Sequence, residues 1–112
     1  MNGPDAEQAA LDFLLGHHLI LLARNYRCRF GEIDLIMQDG ETVVFIEVRL
    51  RTSERFGGAA ASITASKQAK LLSTARHYLT QLQHEPPCRF DAVLLSGRSD
   101  SPINWIRNAF GE

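Results

Sequence analysis

Two cysteines in 112 residues are too few for a disulfide framework. Cys28 and Cys88 stand at no ligand spacing, and His17, His18, His77 and His84 are scattered, which argues against a zinc site. Reduced thiols in the cytoplasm are the simpler account. The chain also lacks an apolar run long enough to cross a bilayer. Its start, MNGPDAEQAA, has neither the basic nor the apolar region of a signal peptide. The expectation is a cytoplasmic protein with no membrane partner. A large charge of one sign is missing as well: the formal net charge is −1, so bulk electrostatics announces no nucleic-acid partner. No internal repeat or low-complexity segment is present. What remains is ordinary, with 45% hydrophobic and 22% charged residues, so residues 1–112 are expected to form one soluble domain.

The pattern along the chain reads as an α/β protein. Gly3-Pro4-Asp5 opens a helix whose apolar positions include Ala6, Ala10, Phe13 and Leu14, and Gly16 closes it. HLILLARNYRC and FGEIDLIM read as strands separated by a break at Gly31. Asp39-Gly40 is a strong hairpin signal, and TVVFIEVRLR is a nearly continuous apolar strand that belongs at the centre of a sheet. Residues 51–62, with Gly57-Gly58, read as a mobile loop. A helix is expected from about Thr64 to Gln83, with Leu71, Leu72, Ala75, Tyr78, Leu79 and Leu82 facing the core. Pro86-Pro87 precedes a strand RFDAVLLSG, and INWIR is a short final strand. The predicted order is α-β-β-β-α-β-β, a mixed sheet with a helix on each side.

Against this background two residues are out of place. Asp34 and Glu47 lie inside apolar strands, and Arg49 follows Glu47 at a spacing of two. Burying an ionised carboxylate without a partner costs several kcal/mol. With Asp39-Gly40 as a two-residue turn, Asp34 pairs with Phe45 and Glu32 with Glu47. Strand alternation then puts Glu32, Asp34 and Ile36 on one face with Phe45, Glu47 and Arg49. Asp34 and Glu47 become diagonal neighbours, roughly 7–8 Å apart at Cβ or somewhat less. A hard divalent cation, Mg²⁺ or Mn²⁺, explains two facing carboxylates, because it uses one or two of them and fills its remaining positions with water and phosphate. The competing reading is a Glu47–Arg49 ion pair on an exposed sheet face with Asp34 solvated. Likewise Glu7 is an ordinary helix-start acid, and Lys67 and Lys70 a solvated face, unless something else assigns them a role.

Charge is unevenly distributed. From Arg24 to Arg76 nine basic residues face six acids, an excess of three, which leans toward a phosphate-bearing partner.

GEIDLI at 31–36 and VFIEVRLR at 44–51 together resemble the YraN-like family of the PD-(D/E)XK nuclease superfamily. The likeness extends to AEQAALDFL, LLARNYRCRFGEIDLI, RFG at 55–57, Lys67, RFDAVLL and INWIRNAF, and so covers nearly the whole chain. It implies a restriction-endonuclease-like fold related to archaeal Holliday-junction resolvases. Asp34 and Glu47 match the motif acids, and Glu7 matches a helix acid that completes the metal site in related resolvases. The motif Lys is replaced by Arg49, which stays protonated and cannot act as a general base. Lys67 is then the residue placed to supply an ammonium.

The expected function is Mg²⁺- or Mn²⁺-dependent hydrolysis of DNA phosphodiesters, with branched or recombination-intermediate DNA as the leading substrate. Asp34, Glu47 and Glu7 are the expected metal ligands. Arg49 and Lys67 join Asp34 and Glu47 in catalysis, and Arg51, Arg55, Lys67 and Lys70 contact the nucleic acid. A homodimer is a further candidate assembly. The alternatives are a non-catalytic nucleic-acid-binding module and a protein-interaction scaffold.

Overall fold

The computed structural model describes residues 3–51, 63–96 and 102–111, with the side chain of Arg51 outside that description. The first helix, α1 (Gly3–Gly16), carries Asp5 in its first turn, where a negative charge meets the positive end of the helix dipole. Ala6, Ala10, Leu11 and Leu14 form its buried stripe. Gly16 is the last helical residue, but the left-handed position falls two residues later on His18 (φ 72). There Leu19 N–H returns to the carbonyl of Leu14 at 3.2 Å.

Five strands follow in one sheet: β1 (Ile20–Cys28), β2 (Gly31–Asp39), β3 (Thr42–Arg51), β4 (Cys88–Ser96) and β5 (Asn104–Phe110), hydrogen-bonded in sequence order. The second helix, α2 (Ala65–Leu79), lies in the crossover between β3 and β4. That pair is parallel and the other three are antiparallel. The order is the expected α-β-β-β-α-β-β, and the most continuously apolar segment, β3, is the central strand.

Alternation along β3 divides the core. Val44 and Ile46 pack with Leu35, Met37, Val93 and the stripe of α1, while Val43 and Phe45 pack with Phe90, Leu94 and the Leu71 and Ala75 face of α2. The two helices therefore cover opposite faces of the sheet.

α2 is shorter than the sequence pattern implies. Its N-cap is Thr64, whose hydroxyl accepts from Lys67 N–H, and its C-cap is Thr80, whose hydroxyl donates to the His77 carbonyl at 2.7 Å. Beyond it the chain tightens into i→i+3 turns, which keep Leu82 half-buried without extending the helix. The loop expected at 51–62 lies, from residue 52 on, outside the described residues.

One end of the sheet gathers the C-terminal ends of β3 and β4, the start of β2 and the N-terminal turns of both helices. Glu7, Asp34, Glu47, Arg49 and Lys67 lie there.

Candidate active site

The hairpin between β2 and β3 is shifted by one residue on each strand relative to the sequence reading. Asp39 is a ladder residue paired with Thr42, and the two turn residues are Gly40 (φ 62) and Glu41. A positive-φ glycine at the first turn position suits a type II′ turn, and the Asp39 carboxylate is engaged by Arg89 Nη2 at 2.9 Å. The register therefore pairs Ile36 with Phe45 and Leu35 with Ile46. Continued one step, it brings Asp34 opposite Glu47 rather than diagonal to it.

The ladder does not continue that step. Asp34 Oδ2 accepts a hydrogen bond from Val48 N–H at 2.9 Å. Ile33 and Ile36 both pack in the α2 layer while Leu35 packs against α1, so regular alternation breaks at Asp34. The single face expected for Glu32, Asp34 and Ile36 is accordingly not formed. Strand periodicity assumes an unbroken ladder, and here a side chain takes over one of its bonds.

Glu47 lies on the α2 side of β3 and is buried, at 6% exposure. Arg49 Nε stands 3.6 Å from Glu47 Oε1, and Lys67 Nζ of α2 stands 3.9 Å from the same oxygen. Both are ion-pair distances too long for good hydrogen bonds. Glu47 Oε2 and Arg49 Nε are buried and have no hydrogen-bond partner among the described residues. Leaving such a group unsatisfied costs about 1–3 kcal/mol, and more when it is charged. Burial, aided by the Asp34 charge and opposed by Lys67 and Arg49, pushes the Glu47 carboxyl up to about 7. Asp34 is also raised, chiefly by burial; the Val48 N–H opposes that shift and Glu32 adds to it.

A second group of acids borders this pair. Asn25, with its amide nitrogen turned toward the carboxylates, donates to Glu32 Oε1 at 2.9 Å and to Glu7 Oε1 at 2.8 Å. Glu32 also pairs with Arg27 at 3.2 Å. The Glu7 carboxyl is raised by burial and then by the charges of Asp34 and Glu32. Glu7 thus lies within the field of the pair, and its direct partner is an amide. Asn25 escaped the sequence reading; its left-handed backbone (φ 50) is a conformation that Asn tolerates better than most residues.

A third acid in an apolar strand provides a comparison. Asp91 of β4 is fully buried. Arg89 Nε approaches both of its oxygens at 3.1 and 3.2 Å, and Trp105 Nε1 and Asn108 N–H each donate at 2.9 Å. Every oxygen has a donor, and the network ties β5 to β4. An acid interrupting an apolar run marks Asp34, Glu47 and Asp91 alike. Only the partners separate a fully bonded carboxylate from an unsatisfied one.

Among the described residues no three His, Cys, Asp or Glu side chains gather as a metal-binding cluster. The available donors are the Asp34 and Glu47 carboxylates. Hard oxygen atoms, one of them buried and unbonded, between two mutually repelling groups suit Mg²⁺ or Mn²⁺, which need no complete protein cage. Lys70 is exposed one turn beyond Lys67, on the side of α2 that meets Gly31. Arg55 lies outside the described residues, as does the Arg51 side chain. Two clefts of about 370 and 390 Å³ open at the other end of the sheet, lined by Leu79 and Arg76 among others. They hold no comparable group of acids. No helix among the described residues is long and apolar enough to cross a membrane.

Residues 6–95 match the model of a family described as uncharacterised protein family UPF0102. A UPF0102 protein of Nitrosomonas europaea is 64% identical over 111 residues, covering 99% of this chain and 94% of the relative. One of Nitrosospira multiformis is 64% identical over 110 residues, covering 98% and 92%. One of Methylobacillus flagellatus is 56% identical over 108 residues, covering 96% and 95%.

Proposed function

The chain belongs to the family UPF0102, the YraN-like group, and from that membership and the carboxylate geometry we propose that it is a metal-dependent DNA phosphodiesterase. In this reading it has the restriction-endonuclease-like fold of the PD-(D/E)XK superfamily. One observation carries it: Glu47 is buried with an unbonded oxygen, beside a second carboxylate and two cations. The fully bonded Asp91 shows that this chain satisfies a buried acid where the role is structural.

Asp34 and Glu47 are the residues that would hold the ion, with Glu7 close enough to influence its charge. When bound, Mg²⁺ or Mn²⁺ polarises a phosphoryl oxygen and makes water a stronger acid. Arg49 orients the scissile phosphate and offsets charge that builds on it, while remaining protonated throughout. Lys67, on the same carboxylate, supplies the neighbouring ammonium. Arg51, Arg55 and Lys70 are assigned to the phosphate backbone, whose neutralisation would make binding strongly salt-dependent. DNA junctions and recombination intermediates are the proposed substrates.

Arg49 in the motif's lysine position supports a second reading, a module that binds DNA and metal without efficient cleavage. Single-turnover cleavage of labelled junction, duplex and single-stranded DNA in Mg²⁺ and Mn²⁺ decides between them. The nuclease reading expects metal-dependent cutting that disappears in Glu47→Ala. No cutting above that control, in the native protein or in Arg49→Lys, assigns the chain to the binding module.

A further inference from the structure

The β1–β2 connection is the two residues Arg29 and Phe30, and it lies at the carboxylate end of the sheet. Phe30 is 40% exposed. Among the described residues the other large hydrophobic side chains with comparable exposure, Leu15, Ile20 and Leu22, lie toward the opposite end of the fold. A solitary exposed aromatic is not unusual. Its surroundings here are specific. The Arg29 guanidinium lies over one face of the ring, 4.9 Å from its centroid, and the His77 ring meets Phe30 edge-on at 6.5 Å.

The turn is also held firmly. Gly31 has φ +151, and a Cβ there would come within 3.3 Å of Thr74 Oγ1 and 3.8 Å of Lys70 Cβ. Absence of a side chain lets the backbone seat directly on α2, so the tip has a fixed direction and Lys70 stands beside it. Asp34 is four residues from Phe30, about 13 Å along an extended strand.

A plane with cations beside it, a short distance from a phosphodiesterase site, matches one ligand chemistry: an unpaired nucleotide, which offers a π-face and a phosphate together. We propose that Phe30, with Arg29 over one face of its ring and Lys70 beside the neighbouring Gly31, is a stacking platform that offers its other face to an unpaired base, so that the preferred substrate carries single-stranded nucleotides next to the bond at Asp34 and Glu47. This rests on the nuclease reading and narrows it. A continuous duplex keeps its bases stacked internally and presents no face to the ring.

Binding without cleavage tests the idea, measured by fluorescence anisotropy in EDTA. The probes are a blunt two-strand DNA duplex and the same duplex with a single-stranded thymidine extension. Native protein is expected to prefer the extended duplex. Phe30→Ala should weaken that complex roughly 5- to 150-fold, the usual effect of losing one base–aromatic stack, and leave the blunt duplex unchanged. Phe30→Tyr should retain the preference. Phe30→Trp should show indole emission quenched by the extended probe alone, above the background of Trp105. Equal weakening on both probes, or no weakening on either, overturns the platform and leaves the nuclease reading intact. If the native protein binds neither duplex at low salt, the DNA reading itself fails and this inference fails with it.

Discussion

Asp34 Oδ2 takes the backbone N–H of Val48 at 2.9 Å, one residue beyond Glu47 on the neighbouring strand. The bond ends the β2–β3 ladder and leaves two raised carboxyl groups side by side. It positions Asp34 by its acceptor oxygen and does not require its charge. Charge and position can therefore be separated by mutation.

Asp34→Asn retains an oxygen for Val48 and removes the repulsion on Glu47. In metal-free buffer at neutral pH it should unfold at the same temperature as the native protein or higher. Its stabilisation by added Mg²⁺ should be lost. A destabilisation of about 3–5 kcal/mol would mean that Asp34 belongs to a buried ion network, and the metal-site reading would be withdrawn.

The pH dependence has an uncommon sign. Glu47 has an ordinary value of 4.5 and is raised to about 7 in the fold. Between those values the folded state holds more protons than the unfolded chain, so metal-free stability falls as pH rises through that window. The shift corresponds to about 3 kcal/mol at most, and Asp34 acts in the same direction. Urea unfolding at pH 4.5 and pH 8 should show the native protein losing stability relative to Glu47→Gln. Saturating Mg²⁺ should remove much of the difference.

Asp91 should behave in the opposite way. Asp91→Ala strips Arg89, Trp105 Nε1 and Asn108 N–H of their common acceptor, so a loss of about 3–5 kcal/mol is expected. The response of the melting temperature to Mg²⁺ should be preserved in whatever fraction folds. Loss of that response with little loss of stability would reverse the roles assigned to Asp91 and Glu47.

Arg49 separates a proton-moving role from fixed charge. If slow cutting reflects the missing lysine, Arg49→Lys should raise the single-turnover rate without tightening DNA binding. If Arg49 acts through its guanidinium on phosphate oxygens, Arg49→Lys should be neutral or harmful. Arg49→Ala should then lower the rate about 10²–10³-fold, as for loss of one transition-state donor.

Element order, the central place of β3 and the helix on each face were legible in the sequence, because they follow from local periodicity. A stripe at Ala6, Ala10 and Leu14 can only be helical, and the apolar run from Val43 to Ile46, resumed at Val48 and Leu50, needs cover on both sides. The same pattern marked Asp34 and Glu47 as expensive. Asp91 interrupts an apolar strand as well and is absent from the sequence reading; periodicity cannot tell the three apart.

The tertiary structure decided that difference, together with the register. Hairpin pairing depends on which turn Gly40 adopts and on Arg89, fifty residues away, engaging Asp39. Whether a buried acid is structural depends on donors from distant strands: Trp105 and Asn108 reach Asp91, and no described donor bonds Glu47 Oε2. Sequence records the cost of burying a charge locally, whereas the groups that offset it are brought together only when the sheet is assembled.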